Sequence, residues 1–257
     1  MMEKVSPIYA ARQLQQRDLF SFTPALVADL FSLTRRQAYR LLERMAAEEL
    51  VAAVERGHFL LLGLAPERVL ANPLFIAAHL VTPGYVSYWS ALHLYGFTEQ
   101  APQTTFVATT RKKAPLLFRQ QRYQFVTLLP HKFFGYRRET VGDLPVVVAD
   151  EAKALLDSLE QPRYAGGVPE VANALRNALD VLDVPTLVEY ANRLGDQSLG
   201  SRLGYLLAAL GQKAPGLHHA TDPVKLDPDG PRSGPHDARW QVIVNAPATA
   251  LFPEGVG

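Results

Sequence analysis

An arginine-rich segment at residues 34–44 carries the side chains of this sequence that are best suited to chemistry. A guanidinium group binds a guanine edge or two phosphate oxygens through paired hydrogen bonds, and a glutamine amide can pair with adenine in the same way. The segment therefore predicts contact with a nucleic-acid groove. The candidate contacting residues are Thr34, Arg35, Arg36, Gln37, Tyr39, Arg40 and Arg44.

A second basic segment runs from Arg111 to Arg138 and contains no acidic residue. Its cations are interleaved with aromatic side chains, a mixture typical of surfaces that bind phosphate backbones or stack on RNA bases. The alternative is an amphipathic sheet with the aromatic residues inside and the cations in water, and the alternation in Tyr123–Thr127 favours this for the aromatic residues. Both interpretations of the cations stay open. The cations are Arg111, Lys112, Lys113, Arg119, Arg122, Lys132, Arg137 and Arg138.

Side chains that could catalyse a reaction occur together at one place. Asp150, Glu151 and Lys153 resemble the carboxylate–lysine arrangement of metal-dependent nucleases, in which acids hold magnesium and a lysine supports the attacking water. Acids at the start of a helix are also expected from capping and from the helix dipole, and this is the simpler explanation. A nucleic-acid-processing enzyme is therefore kept as an alternative function.

Metal and cofactor chemistry has little support in the sequence. The chain has no cysteine, which excludes thiolate zinc sites, disulfides and a cysteine nucleophile. His218, His219 and His236 could share a metal, but they lack the helical spacing of paired ligands and are expected in a surface loop. The G-x-x-x-x-G-K, G-x-S-x-G and H-E-x-x-H motifs are absent. We therefore expect no metal, no cofactor and no enzyme activity.

Three helices are predicted ahead of residue 50. Ser6-Pro7 and Thr23-Pro24 each combine an N-cap with a proline at the first helical position, so each predicts a helix start. The third helix begins after a short corner at residues 31–33, with a capping box formed by Thr34 and Gln37. Two helices joined by so tight a corner are typical of a helix-turn-helix.

The third helix is predicted to be amphipathic, with its arginines outside. Its apolar residues recur at a spacing that buries one face. Two strands, Leu50–Val54 and His58–Leu62, are predicted around a turn at Glu55–Gly57, where Arg56 could contact a DNA backbone. We predict a winged helix-turn-helix domain over residues 1–64, with a small bundle carrying solvated arginines as the alternative. The buried residues of the helix are Ala38, Leu41, Leu42 and Met45.

Residues 65–257 are predicted to form a larger mixed domain. Helical turns and an apolar helix to about Leu80 come first, followed by a helix capped by Ser87 with Trp89 and Tyr95 in the core. Four β-like runs are then expected to form one sheet. They are Thr104–Thr110, Tyr123–Leu129, Lys132–Arg137 and Leu144–Ala149.

Helical patterns follow the sheet, at Asp150 onward, Glu170–Leu179, Pro185–Leu194 and Leu199–Leu210. The chain is then expected to be irregular between Pro215 and Pro235, with a last short strand at Trp240–Asn245. The predicted fold class is α+β: an N-terminal winged helix-turn-helix domain and a C-terminal domain with a β-sheet covered by helices.

The composition favours a globular protein without a membrane segment. Of the 257 residues, 48% are hydrophobic and 20% charged, and the net charge is +1. The charge is uneven, because residues 139–196 hold eleven acids against four basic residues. Residues 1–10 lack the apolar stretch of a signal peptide, and no apolar run is long enough to span a bilayer. We expect a cytoplasmic protein with no membrane partner.

A series of short motifs occurs in a fixed order in the larger region. They are Tyr85–Leu92 with Gly96, Thr109–Lys113, Lys132–Gly135, Val148–Asp157, Tyr164–Gly167, Arg202–Leu207 and Trp240–Asn245. In this order, behind a predicted winged helix, the motifs resemble the AbiEi-type antitoxins of bacterial type IV toxin–antitoxin systems. The resemblance covers most of the chain.

The resemblance implies an autorepressor that binds double-stranded operator DNA with repeated sites. It also implies a partner toxin of the nucleotidyltransferase type, countered without a stable complex. The basic run would match the positively charged face of the second domain in these proteins. A ligand-sensing winged-helix regulator is a further alternative. Carried over residue by residue, DNA reading falls to Thr34, Arg35, Arg36, Gln37 and Arg40, with Arg44 and Arg56 on phosphates.

Overall fold

A computed structural model describes residues 5–247 and 251–252 and has a mixed α+β fold. The helices are α1 (Pro7–Gln15), α2 (Pro24–Leu30), α3 (Arg35–Ala47), α4 (Pro66–Leu70), α5 (Pro73–His79), α6 (Tyr88–Leu94), α7 (Glu151–Glu160), α8 (Val168–Ala178), α9 (Val184–Leu194) and α10 (Gln197–Ala209). The strands are β1 (Ser21–Phe22), β2 (Val51–Glu55), β3 (His58–Leu61), β4 (Gly84–Val86), β5 (Thr104–Thr109), β6 (Leu116–Phe118), β7 (Gln121–Thr127), β8 (Tyr136–Val141), β9 (Leu144–Ala149), β10 (Val224–Lys225), β11 (His236–Asp237) and β12 (Val242–Ile243).

The first part of the chain contains the three helices and the hairpin that the sequence predicts. The side chains of Ser6, Thr23 and Thr34 each accept a hydrogen bond from a backbone N–H in the first turn, so the three predicted caps are confirmed. Strand β1 was not predicted, because two residues are too few to show an alternating pattern. It pairs antiparallel with β3 and gives a three-stranded sheet of order β1-β3-β2.

A six-stranded mixed sheet of order β6-β7-β5-β4-β9-β8 lies at the centre of the larger region. The pairs β5–β7 and β4–β9 are parallel, and the other neighbouring strands are antiparallel. Residues 105–109 of β5 are all buried, which requires cover on both faces of the sheet. Helices α5, α6 and α7 contact these strands, so two early helices as well as the first of the later ones cover the sheet.

One predicted strand and one predicted helix cap are wrong. Residues 130–132 form a 3-10 turn in place of the start of a strand at Lys132–Arg137, and Gly135 has a φ of +69° that a strand does not permit. The strand begins only at Tyr136 and continues to Val141. Ser87 precedes α6 as predicted but makes no side-chain cap, because its hydroxyl donates to the buried carboxylate of Asp157.

The last segment is more regular than predicted. Strand β10 forms in the stretch that was expected to be irregular and β11 follows directly after it, and both pair with β12. This small sheet packs on α10, where a Cβ on Gly204 would lie 2.2 Å from the ring of Trp240 and one on Gly200 would lie 1.9 Å from the carbonyl oxygen of His218. The longest helices, α3 and α10, have 13 residues, and no helix in the described part could cross a membrane.

Candidate nucleic-acid interface

Helix α3 has one buried and one solvent-exposed face. Ala38, Leu41, Leu42 and Met45 pack into a cluster with α1, α2 and the hairpin, as the spacing predicted. The opposite face is formed by side chains three, four and seven residues apart, which a helix brings onto one side. These exposed residues are Arg36, Tyr39, Arg40 and Glu43.

Thr34 and Gln37 are committed to the start of the helix. The Oε1 atom of Gln37 accepts hydrogen bonds from the backbone N–H and the hydroxyl of Thr34, both at 2.8 Å, and the Thr34 hydroxyl oxygen accepts from the Gln37 N–H. Paired recognition of adenine needs both atoms of the Gln37 amide, and its oxygen already has two donors. The structure therefore places both residues as a capping box.

The two arginines that flank this face, Arg35 and Arg44, each contact another residue of the protein. Arg44 donates from Nη2 to the carbonyl oxygen of Val5 at 2.7 Å, so it ties α3 to the start of α1. The guanidinium carbon of Arg35 lies 5.9 Å from the centre of the Tyr39 ring. Arg36 and Arg40 make no side-chain hydrogen bond or ion pair among the described residues, which leaves them as the available cations of the face.

The β2–β3 hairpin places Arg56 in its exposed turn, next to Gly57 with a φ of +74°. The adjacent Glu55 is engaged, because it accepts hydrogen bonds from Lys113 and from the His58 ring at 3.1 Å. Burial alone would raise the pKa of Glu55, but these two bonds outweigh it, so the pKa lies below its usual value. The hairpin turn thus lies beside the Arg111–Lys113 segment.

Strand β3 is shared by two hydrophobic cores. Leu61 belongs to the cluster of the three N-terminal helices, whereas Leu60 and Leu62 belong to the large cluster that contains the six-stranded sheet. Successive residues of a strand point to opposite faces, which makes this division possible. The hairpin is therefore packed between the two parts of the protein.

Aromatic side chains complete this contact, which we call the joint. Phe20 lies edge-on to Phe75, with 5.1 Å between the ring centres, and 5.3 Å from the ring of His79. Burial lowers the pKa of His79, and its Nδ1 is bonded to the carbonyl oxygen of Phe75 at 2.7 Å. Helix α5 thus carries the contact from the sheet to the N-terminal helices.

The eight cations of the basic run are not brought to one face. The turn with Arg119 lies at the β6 edge of the sheet and Arg137 at the β8 edge, five strand spacings or about 24 Å apart. Four of the eight have acidic partners: Lys113 with Glu55, Lys132 with Glu160, Arg137 with Glu151, and Arg138 with Asp18 at 3.8 Å. Within the described residues the other four have no ion pair, and these are Arg111, Lys112, Arg119 and Arg122.

The aromatic residues of the same run are mostly core residues. Phe118, Tyr123, Phe125 and Phe134 are buried, Phe133 is half-buried and Tyr136 is exposed. The alternation in residues 123–127 therefore follows the two faces of β7, as the amphipathic-sheet interpretation predicted. Of these six aromatic residues, only Tyr136 is exposed enough to stack on a nucleic-acid base.

The carboxylate–lysine group does not form an open site. Asp150 caps α7 and also accepts from the Tyr190 hydroxyl at 2.9 Å, and Glu151 accepts two bonds of 2.7 Å from Arg137. The side chain of Lys153 is completely buried and is paired with Asp157. A lysine without access to solvent cannot support an attacking water, so these residues lack the arrangement that the nuclease alternative requires.

The histidines of the last segment do not gather as a group of metal ligands within the described residues. His219 packs edge-on against Trp240, with ring centres 5.2 Å apart, and His236 lies exposed in β11. In the part of the chain that the structure describes, no three histidine or acidic side chains gather at metal-binding distance.

Comparison with known proteins gives one informative result. No family model matches the chain, and no curated protein matches it. The fold is similar to the crystal structure of the Rv2827c protein from Mycobacterium tuberculosis, with a TM-score of 0.57 over 93% of this chain and 92% of that one. The sequence identity is 13%, so the likeness concerns the fold alone.

Sequence reasoning missed two features of this candidate interface. Glu43 lies within the exposed arginine face, and the spacing from Arg36 and Arg40 would have placed it there. The ion pair between Lys113 and Glu55 joins residues far apart in the chain, and local sequence carries no signal for it.

Proposed function

We propose that the protein is a DNA-binding transcriptional regulator, in which residues 1–64 form a winged helix-turn-helix. The observation that carries the proposal is the exposed face of α3, where Arg36 and Arg40 are solvated opposite a buried apolar stripe. The tight corner before α3 and the hairpin after it support this interpretation, since both occur where such a domain has them. Direct base contacts fall to Arg36, Tyr39 and Arg40.

Backbone contacts in this proposal come from the flanks of α3 and from the hairpin side. Arg35 and Arg44 border the exposed face, although the bond of Arg44 to Val5 limits its reach. Arg56 lies in the exposed turn, and Arg111 and Lys112 lie next to that turn because Lys113 is paired with Glu55. These cations form a candidate path for a phosphate backbone beside the helix.

We further propose that residues 65–257 act as the antitoxin region of a cytoplasmic type IV toxin–antitoxin pair. This rests on the resemblance of the ordered motifs to AbiEi-type antitoxins. On that basis the protein represses its own operon at repeated operator sites. It counters a nucleotidyltransferase-type toxin without a stable complex and needs neither a cofactor nor a catalytic step of its own.

The DNA-binding proposal is tested by titrating the protein with its own promoter fragment at fixed salt, measured by fluorescence anisotropy. Arg36→Ala and Arg40→Ala should each lose about 1–3 kcal/mol of affinity for that fragment, because each removes a bidentate base or phosphate contact. Arg176→Ala, an exposed arginine of α8, is the matched control and should bind as the native protein does. Equal affinity of all four proteins would refute the assignment of α3.

The antitoxin proposal needs a separate experiment. A nucleotidyltransferase-type toxin from the adjacent gene is expressed alone and together with this protein, and growth is measured. Co-expression is expected to restore growth, also for Arg36→Ala, because the antitoxin activity is assigned to residues 65–257. If growth stays arrested although the protein is well expressed, the antitoxin proposal is contradicted and only the repressor proposal remains.

A further inference from the structure

A cavity of about 560 Å³ lies in the larger part of the protein, beside the six-stranded sheet. Residues of α4 and α5 form one side, and the segments around β5, β7 and the β8–β9 turn form the other. Ala71, Pro73, Leu74, Pro102 and Val141 give it largely apolar walls. A cavity of this size with apolar walls suits a small organic molecule.

Two buried hydroxyl groups lie among the lining residues of the cavity. The Ser90 hydroxyl oxygen accepts from the Phe106 N–H at 3.0 Å, and the bond it donates to the carbonyl oxygen of Thr104 is long, at 3.5 Å. The Thr105 hydroxyl oxygen accepts from Nε2 of Gln121 at 3.2 Å. No bond among the described residues uses the Thr105 hydroxyl hydrogen, and the Ser90 hydrogen is held only by this long bond, which an occupant can replace.

The charge of the cavity favours an anion. Its lining includes the guanidinium of Arg68, and no carboxylate is among the lining residues that the structure describes. The nearest acidic residue is Asp143: Nη2 of Arg68 donates to its carbonyl oxygen at 3.1 Å and lies 3.7 Å from its Oδ2, and the side chains of Asp143 and Arg68 are 87% and 50% exposed. An ion pair so open to water contributes little, so an incoming anion can replace it.

We propose that this cavity binds a small organic carboxylate. The guanidinium of Arg68 receives the carboxylate, the apolar body lies against Leu74 and Val141, and the hydroxyls of Ser90 and Thr105 bind a further polar group. The occupant would touch the first turn of α5, whose Phe75 and His79 contact Phe20 at the joint. The site shares no residue with the proposed DNA contacts.

The test follows amide signals of the isotope-labelled full chain in two-dimensional NMR spectra during titration. The probes are phenylacetate, neutral phenylacetamide and cationic phenethylamine, which share one apolar body. Phenylacetate should shift the amides of Leu74, Ser90 and Thr105 and bind at least about tenfold more tightly than the other two, because only it gains a charge-assisted bond. Equal binding of the three probes, or shifts confined to other residues, would overturn the proposal.

Two exposed positions provide variants that should fold normally. Arg68→Gln should remove the preference for phenylacetate, and Ala71→Leu should weaken all three probes by filling the cavity. Arg176→Gln is the control for a lost arginine and should leave the three affinities unchanged. An undiminished preference in Arg68→Gln would show that the anion is held elsewhere, against the proposal.

Discussion

A single acidic residue sets an electrostatic limit on the proposed DNA-reading face. Glu43 shares the exposed side of α3 with Arg36 and Arg40, so it would face the same groove as the two guanidinium groups. A carboxylate there repels DNA phosphates whatever the base sequence. It can also accept a hydrogen bond from the amino group of a cytosine. In the proposed DNA complex, Glu43 would therefore favour discrimination between sequences over affinity.

We predict that Glu43→Gln binds unrelated DNA about fivefold more tightly, since one charge interaction screened by water is worth about 1 kcal/mol. Affinity for the promoter fragment should change less, so the ratio of the two should fall. Glu48→Gln, at the exposed end of the same helix, is the control. Competition titrations with promoter and random duplexes measure the ratio, and a constant ratio in Glu43→Gln would contradict the role given to this residue.

The fully buried pair Lys153–Asp157 has the largest predicted effect on stability. Asp157 also accepts from the hydroxyls of Ser87 at 2.7 Å and Tyr85 at 3.2 Å, so it connects α7 to the β4–α6 corner. Lys153→Met should lower the free energy of unfolding by about 3–5 kcal/mol, because it leaves a buried charge without its partner. The double variant with Asp157→Asn should lose less than the sum of the two single variants.

Urea unfolding followed by circular dichroism measures all three variants, and Lys213→Met, an exposed lysine, serves as the control. Strict additivity of the two single changes would show that the charges act independently.

At the residue scale, the sequence predicts what depends on near neighbours. The capping box of Thr34 and Gln37 and the buried stripe of α3 were confirmed because their partners lie within a few residues. The bond of Arg44 to Val5 was missed, because it depends on how α1 packs against α3. The burial of Lys153 was missed for the same reason, since a lysine after two acids has the local pattern of a solvated helix start.

At the scale of elements, the contact between α10 and the last small sheet depends on a glycine. Gly204→Ala would ordinarily stabilise a helix by about 1 kcal/mol, but here the added methyl group meets the ring of Trp240. We predict a net loss of about 1–3 kcal/mol from overpacking, measured by thermal unfolding. In the background of Trp240→Leu the same change should cost much less, and an equal cost in both backgrounds would rule out this contact as the cause.

The helices were easier to predict than the strands. The four helices after residue 150 occur where their periodicity and stop signals placed them, since each is long enough to repeat its pattern. Strands β4 and β6 have three residues each, too few for an alternating pattern, and only their neighbours in the sheet define them. The strand predicted at Lys132–Arg137 starts at the wrong residue. Its composition favours a strand, but the positive φ of Gly135 does not permit one there.

At the scale of the whole molecule, the proposed DNA path divides the free cations into two groups. Arg111 and Lys112 follow β5 on the side of the hairpin, whereas Arg119 and Arg122 lie near the start of β7. Because β5 and β7 are parallel, the two groups lie at opposite ends of these strands, about 17 Å apart. Only the first group is placed to touch DNA that lies along α3 and the hairpin.

We predict that Arg111→Ala with Lys112→Ala weakens binding to all DNA sequences alike. The slope of log affinity against log salt should become shallower by about 2, since each lost phosphate contact removes about 0.9. The matched pair Arg119→Ala with Arg122→Ala should leave the slope unchanged. Titrations from low to moderate salt give both slopes, and an equal reduction in the two double variants would place the DNA elsewhere.

Because strand β3 contributes to both hydrophobic cores, the N-terminal helices and the larger part of the protein are not expected to fold independently. A fragment that stops after the hairpin would present Val54, Leu60 and Leu62 to water, since these side chains complete the core of the remainder. Such a fragment would expose apolar surface and tend to aggregate. Replacing the N-terminal part by that of another regulator would leave a cavity at the position of the hairpin. A substitution in the strands of the hairpin must therefore satisfy two hydrophobic cores at once.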